Sequence, residues 1–287
     1  MTLLVYANCQ ADEMVSFLQR SDPLLDLPDI ERVFLGAIHD FVAMHGQAEA
    51  EARLRRVTIV WEQVSQASPD ERALMRTLVP RTARWLRFPA LSCTTLWPFA
   101  SSDNRPSGDD RYPYSDMLAM RVWREMGGAD DRLAGLGDDI LFDRYMELST
   151  AKMPDLDRML ELDLQSWKQR DLDADVPIAD FLLQRLAQAR LFYTVGRASW
   201  LPTAEILQGL IELTIADPNG RQRSLKQIQL MGANYTGNDT ISMPINPTVA
   251  ERLGLDWYKP DDVHNWHSYE LDFRSFVIRC IRLADQR

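Results

Sequence analysis

The chain opens on an apolar run, Leu3-Leu4-Val5-Tyr6, which gives way to a polar turn, Ala7-Asn8-Cys9-Gln10, and then to an amphipathic pattern from about Ala11. The order predicts a strand, a tight turn and a helix. Two further β-prone runs follow. They are Val57-Thr58-Ile59-Val60-Trp61, continued by Glu62-Gln63, and Arg84-Trp85-Leu86-Arg87-Phe88, stopped by Pro89. Val33-Phe34-Leu35 fits either a strand or the start of a helix, and Gln47 to Arg56 favours a helix. Ser68 and Pro69 fit the N-cap and first position of another helix. Strands alternating with helices predict a parallel sheet, whose ligands bind beyond the C-terminal strand ends. Cys9, Gln63 and Arg87 each fall at or just past such an end.

Ser92 to Tyr114 reads as a long loop with a turn-rich patch from Ser101 to Asp110, either a functional lid or a surface excursion. From Ser115 the pattern is mostly helical. Helices are predicted over Asp116–Met126, Asp138–Leu148, Asp155–Arg170, from about Ile178, and around Thr203–Thr214. Asp171-Leu172-Asp173-Ala174-Asp175 reads as a solvated connection, and Arg190 to Val195 as a strand. Gly232 to Asp239 reads as a polar loop. Asn246-Pro247 and Gly254 bracket a short helix. A last helix carries Phe273, Phe276, Val277, Cys280, Ile281 and Ala284 on one face, which makes Cys280 a packing residue. The expected fold is α/β, with a small parallel sheet near the N-terminal half and a predominantly helical remainder. Residues 1–110 carry the sheet and Cys9, and 111–287 pack on it as one continuous domain.

Composition narrows the function. The 287 residues are 46% hydrophobic and 26% charged, ordinary for a soluble globular protein with ample core. A net charge of -10 and a pI near 5.0 argue against nucleic acid or an acidic membrane as partner. Three widely spaced cysteines, Cys9, Cys93 and Cys280, do not make a disulfide framework, and no pair has metal-ligand spacing. The N-terminus lacks the pattern of a signal peptide and no segment approaches a membrane span, so a cytoplasmic protein is expected.

The candidate chemistry centres on Asn8-Cys9-Gln10. A cysteine at a strand-to-helix junction sits where free backbone N–H groups and the helix dipole converge, which favours a thiolate and holds anions. Asp12 and Glu13 in the first turn act the other way. A small buried cysteine packed at the strand end fits the same position. A nucleophilic cysteine needs a base and an oxyanion site. Asn8, Gln10 and the N–H groups of the turn can donate hydrogen bonds. His264 and His267 are the candidate bases, with surface-loop histidines as the alternative reading. His39 and His45 flank a helical segment and suit the role less. No Gly-rich phosphate loop or Gly-x-Ser-x-Gly elbow is present. Phosphate recognition therefore falls to arginines, with Arg87 and Arg197 the candidates and a surface salt bridge the alternative for each.

Several stretches together resemble the WcbI-like polysaccharide biosynthesis family. Val5-Tyr6-Ala7-Asn8-Cys9-Gln10 is similar to its GNCQ opening. The likeness continues collinearly through Glu62-Gln63, Leu86 to Leu91, Tyr112 to Asp116, Val176 to Phe181, Arg190 to Thr194, Met243 to Ala250 and Leu271 to Val277. The resemblance implies a largely helical α/β fold around a small parallel sheet, coenzyme A or acetyl-CoA as co-substrate without a metal, and acetyl transfer to a capsular sugar. It places the family's cysteine at Cys9, flanked by Asn8 and Gln10; in the transferase expected here, Gln63 orients the substrate. The chain departs from the family at Ala7, where glycine is usual. It departs again at Gly196-Arg197-Ala198, where the family often has Asn-His-Pro. A base would then come from elsewhere, such as His264 or His267. A hydrolase on the same turn, or a non-catalytic CoA- or glycan-binding protein, are the alternatives to a transferase.

Overall fold

A computed structural model describes residues 2–21, 24–64, 69–101, 115–128, 132–233, 235, 241–266 and 269–282. In chain order the first elements are β1 (Thr2–Ala7), α1 (Ala11–Ser21), β2 (Asp29–Phe34), α2 (Ile38–His45), α3 (Gln47–Leu54), β3 (Val57–Val64), α4 (Pro69–Leu78) and β4 (Arg84–Pro89). Next come β5 (Ala100–Ser101), β6 (Ser115–Asp116), α5 (Met117–Glu125), α6 (Asp138–Lys152), α7 (Leu156–Asp171), α8 (Ala179–Arg185), β7 (Phe192–Thr194) and β8 (Arg197–Ala198). The last are α9 (Trp200–Thr214), α10 (Pro218–Gly232), α11 (Pro247–Arg252), β9 (His264–Trp266), β10 (Tyr269–Leu271) and α12 (Phe273–Arg282). Backbone contacts group the chain into two compact units. Met1–Leu91, Leu164–Gln184 and Arg197–Asn238 form the first, and Ser92–Asp163, Arg185–Gly196 and Asp239–Arg287 the second.

The first unit is built on a four-stranded parallel sheet in the order β2-β1-β3-β4. Leu3 to Ala7 of the inner strand β1 are at most 1% exposed, which explains a run with no polar alternation: both faces of the strand are covered. Leu4, Tyr6, Val33 and Val60 pack with Ile38, Phe41, Ala50, Leu54 and Met75 from α2, α3 and α4. Side chains alternate along a strand, so Val5 and Trp61 face the other way. The Trp61 indole N–H donates to Thr214 Oγ1 of α9 at 3.0 Å. The chain leaves β1 for a helix on one face and leaves β3 for α4 on the other. That reversal is a topological switch point, the place where open parallel sheets leave a crevice.

Some segments differ from what the pattern predicts. Val33 and Phe34 end a strand and Leu35 begins the turn after it, and β3 runs on to Val64, so Glu62 and Gln63 lie within it. Helix α10 has no counterpart in the reading above. Its pattern is polar with two glycines, yet the Asp217 carboxylate caps it by accepting from the Gly220 N–H at 2.7 Å, with Pro218 in its first turn. The Asp171–Asp175 segment is not a simple solvated connection. The Asp175 carboxylate accepts from the Arg87 N–H at 2.7 Å, and the Asp175 and Val176 N–H groups donate to the Arg87 carbonyl at 2.8 and 3.2 Å. The Asp171 carboxylate accepts from the Ile178 and Ala179 N–H groups. The acidic run thus covers the outer edge of β4, where free strand groups would otherwise seek a partner.

In the second unit, α5, α6 and α12 pack on one another. The first part of the expected long loop is packed inside the unit: Cys93, Thr95 and Leu96 are fully buried. The buried Asp163 carboxylate accepts from the backbone N–H and hydroxyl groups of both Thr94 and Thr95 at 2.7–3.0 Å. Residues 102–114, the rest of that predicted loop, lie outside the described residues, as do Ser68 and Ala284 and all but three residues of the predicted Gly232–Asp239 loop. Cys280 is buried on the apolar face of α12, and all three cysteines are free thiols.

Asp116 gives this unit a pH dependence. Its carboxylate caps α5 through the Leu118 and Ala119 N–H groups at 2.8 and 3.0 Å and accepts from the Tyr145 hydroxyl at 2.7 Å. Burial outweighs those bonds and pushes its pKa up to about 6. The raised value means full stability below the ordinary carboxylate range, lost as pH rises through about 6. At 1.36 kcal/mol per pH unit the loss is about 3 kcal/mol. Urea unfolding at pH 4.5 and 7.5 should show Asp116→Asn gaining on the wild type by roughly 2–3 kcal/mol at the higher pH. Equal pH dependence in the two proteins would contradict this.

Candidate active site

The turn after β1 is held by its own side chains and by β3. Asn8 Oδ1 accepts from the Gln10 N–H at 2.9 Å, an Asx turn that starts the helix. The Ala11 and Asp12 N–H groups donate to the Asn8 and Cys9 carbonyls, both at 3.1 Å. Gln63, 1% exposed, reaches the turn from β3. Its Oε1 accepts from the Asn8 N–H at 3.0 Å, and its Nε2 donates to Gln10 Oε1 at 2.9 Å. The Gln10 side chain then pairs with Leu91 beyond β4: Nε2 donates to its carbonyl at 2.5 Å and Oε1 accepts from its N–H at 3.0 Å. Two glutamine amides therefore tie the ends of β1, β3 and β4 together across the switch point.

This arrangement leaves Cys9 exposed, with the half-buried Asn8 and Gln10 on either side. Among the described residues the Cys9 N–H meets no acceptor. Arg32 of β2 shares the sulfur's surroundings. Burial lowers its pKa, and Cys9 as a thiolate acts to restore it. The Arg32 guanidinium also stacks 3.7 Å over the Phe34 ring and pairs with Asp12, so the cation reaches the site partly spent. An exposed thiol within electrostatic reach of a guanidinium, with a helix starting after it, is suited to nucleophilic attack or to thiol exchange.

Arg87 lies in a second polar group at the same end of the sheet. Tyr6, Glu62 and Arg87 sit side by side in the register of β1, β3 and β4. Glu62, 1% exposed, is met by Arg72 at 3.5 Å, Arg76 at 3.3 Å and Arg87 at 3.4 Å. Among the described residues the buried Tyr6 hydroxyl has no hydrogen-bond partner. Burial, with help from Glu71 and Glu62 and against Arg72, pushes its pKa up to about 12.

The structure thus brings Asn8, Cys9, Gln10 and Gln63 into one bonded group. Gln63 uses its amide on Asn8 and Gln10, and Gln10 uses its own on Gln63 and Leu91, which makes them positioning residues. Arg197 is half-buried in β8. His264, in the second unit, is buried, and its Nδ1 lies 2.9 Å from Arg190. Guanidinium can only donate, so Nδ1 accepts and the other nitrogen carries the proton. Burial, followed by Arg190, lowers the His264 pKa to about 3. With its lone pair taken, His264 does not fit the role of base expected for it. His267 lies outside the described residues. Arg32, Arg72, Arg76 and Tyr6 were not anticipated. The four-residue spacing of Arg72 and Arg76 on one helix was the available signal, whereas nothing local marks Arg32.

Fold and site together define an α/β protein with an exposed thiol presented at the switch point of a parallel sheet. The family described as polysaccharide biosynthesis enzyme WcbI matches residues 2–216, and the chain belongs to that family. No curated protein matches the sequence. A solved structure of WcbI, a polysaccharide biosynthesis enzyme, has a TM-score of 0.68 at 15% identity, covering 100% of this chain and 90% of that one. It is described as a native form without the disulfide bond between CoA and one of its cysteines. The likeness shows a shared fold. No helix among the described residues is long and apolar enough to cross a membrane.

Proposed function

We propose that this protein binds coenzyme A or its acetyl thioester at the switch-point turn and transfers the acyl group to a hydroxyl of a sugar or polysaccharide precursor. The observation that carries the reading is the exposed Cys9 on a turn held rigid by Gln10 and Gln63. The WcbI structure supports it only in that its description pairs CoA with a cysteine, in a native form without the disulfide between them. In this reading the Cys9 thiolate attacks the thioester carbonyl, or lies against it, and the Cys9 N–H receives the developing oxyanion. On attack the C–S bond to CoA breaks and CoA leaves as its thiolate. A sugar hydroxyl then takes the acyl group as the Cys9–acyl bond breaks, its proton passing to a departing thiolate. Asn8 shapes the turn, Arg32 brings a positive charge within electrostatic reach of the sulfur, and Arg87 and Arg197 face the phosphates.

A second reading rests on one observation. With His264 bound to Arg190 and Arg197 standing where the family often has histidine, a protein that binds CoA without turnover fits the same site. CoA at 100 times its Kd should stabilise the fold by about 2.7 kcal/mol. It should also slow alkylation of Cys9, which reports cleanly because Cys93 and Cys280 are buried. Neither effect appearing would end both readings. Acetyl-CoA consumption that requires a glycan acceptor selects the transferase, consumption without one a hydrolase, and stabilisation without consumption the binding protein.

A further inference from the structure

Within the second unit, α5 and the end of α6 border an open groove of about 780 Å³, within the size range of small-molecule sites. Its apolar lining comes from Met117, Met120, Leu118, Phe99, Pro98 and Pro154. Met117 is 44% exposed, a large apolar side chain left open to solvent. Arg121, Arg124, Glu125 and Lys152 line the rest. Glu125 is already balanced, since Arg121 donates to it at 2.7 Å and Arg144 at 2.8 Å. Among the described residues Arg124 and Lys152 make no ion pair. Both sit in the last turn of a helix, where the dipole favours a cation. That accounts for each charge alone. It does not account for both opening on one apolar groove in a chain of net charge -10.

We propose that this groove binds a phosphate ester of a long-chain alcohol, with the phosphate on Arg124 and Lys152 and the chain along Met117 and Met120. A nucleotide fits less well. Phe99, the aromatic residue of the lining, is 5% exposed and offers no face on which a base can stack. Flexible thioethers instead suit an aliphatic chain of variable shape. The site is independent of the CoA reading.

The test is calorimetric titration of the full chain with decyl phosphate below its micelle concentration, alongside decanol and inorganic phosphate. Decyl phosphate should bind at least about tenfold more tightly than either control, a gap of about 1.4 kcal/mol. The Arg124→Glu/Lys152→Glu double variant and, separately, Met117→Asp should each weaken it about tenfold. All these side chains are at or near the surface, so unfolding free energy and CoA protection of Cys9 should stay at wild-type levels. Failure of CoA protection in every protein would sink the CoA reading and leave this one standing. Unchanged decyl phosphate binding in both variants would overturn the groove assignment. So would equal binding of inorganic phosphate, or binding to anionic phospholipid vesicles without binding of the monomeric ester.

Discussion

Replacing Cys9 with alanine should reduce acyl transfer by at least about a thousandfold, because no other group on the turn can take over a lost nucleophile. The thiol is exposed and makes no packing contact that the fold depends on, so unfolding free energy should move by no more than about 0.5 kcal/mol. That separation matters, because substitution at the buried Cys93 would damage the core instead. Cys9→Ser keeps the size of the side chain but replaces the more nucleophilic sulfur with a hydroxyl, and should be nearly as inactive as alanine. Steady-state turnover and urea unfolding of the three proteins check this together. Full turnover in Cys9→Ala would reduce the thiol to a neighbour of the thioester, and direct transfer to the sugar would be the remaining route.

The turn at Asn8-Cys9-Gln10 was legible because its signal is local: an unbroken apolar strand, a polar turn, then helical spacing. The alternation of strands and helices was enough for a parallel sheet. The order β2-β1-β3-β4 was not legible, because strand order is decided by which faces the helices cover, and no window of sequence records that. The switch point, and with it the reason Gln63 reaches the turn, follows from that order. Gln10 illustrates the same limit. Its residue type suggested a donor to substrate, while its partner Leu91 lies far along the chain. His264 carried the right chemistry for a base, but its burial against Arg190 depends on packing between distant segments. The acidic run at Asp171–Asp175 looked solvated because carboxylates usually are. Here two of them accept backbone N–H groups that would otherwise be left without partners at the edge of β4 and the start of α8.

Removing the Glu62 carboxylate should be the most destabilising single change at the sheet end. The group is buried, yet three guanidiniums lie within 3.5 Å of it. Taking away one partner of a buried ion pair costs about 3–5 kcal/mol when the remaining charge is sealed in. Arg72, Arg76 and Arg87 have side chains 21%, 51% and 32% exposed, so each can turn partly to water. The expected cost of Glu62→Ala is therefore at the lower end, about 3 kcal/mol. Glu62→Gln keeps the shape and one acceptor oxygen and should cost less. Mutual repulsion among half-exposed cations is screened by salt, so about 0.5 M NaCl should recover more of the loss in the alanine variant than it adds to the wild type. The loss should also reach the turn, because Glu62 is followed directly by Gln63, and CoA should protect Cys9 less well in Glu62→Ala. A loss below about 1 kcal/mol, with no salt dependence, would mean the arginines do not rely on Glu62 for neutralisation.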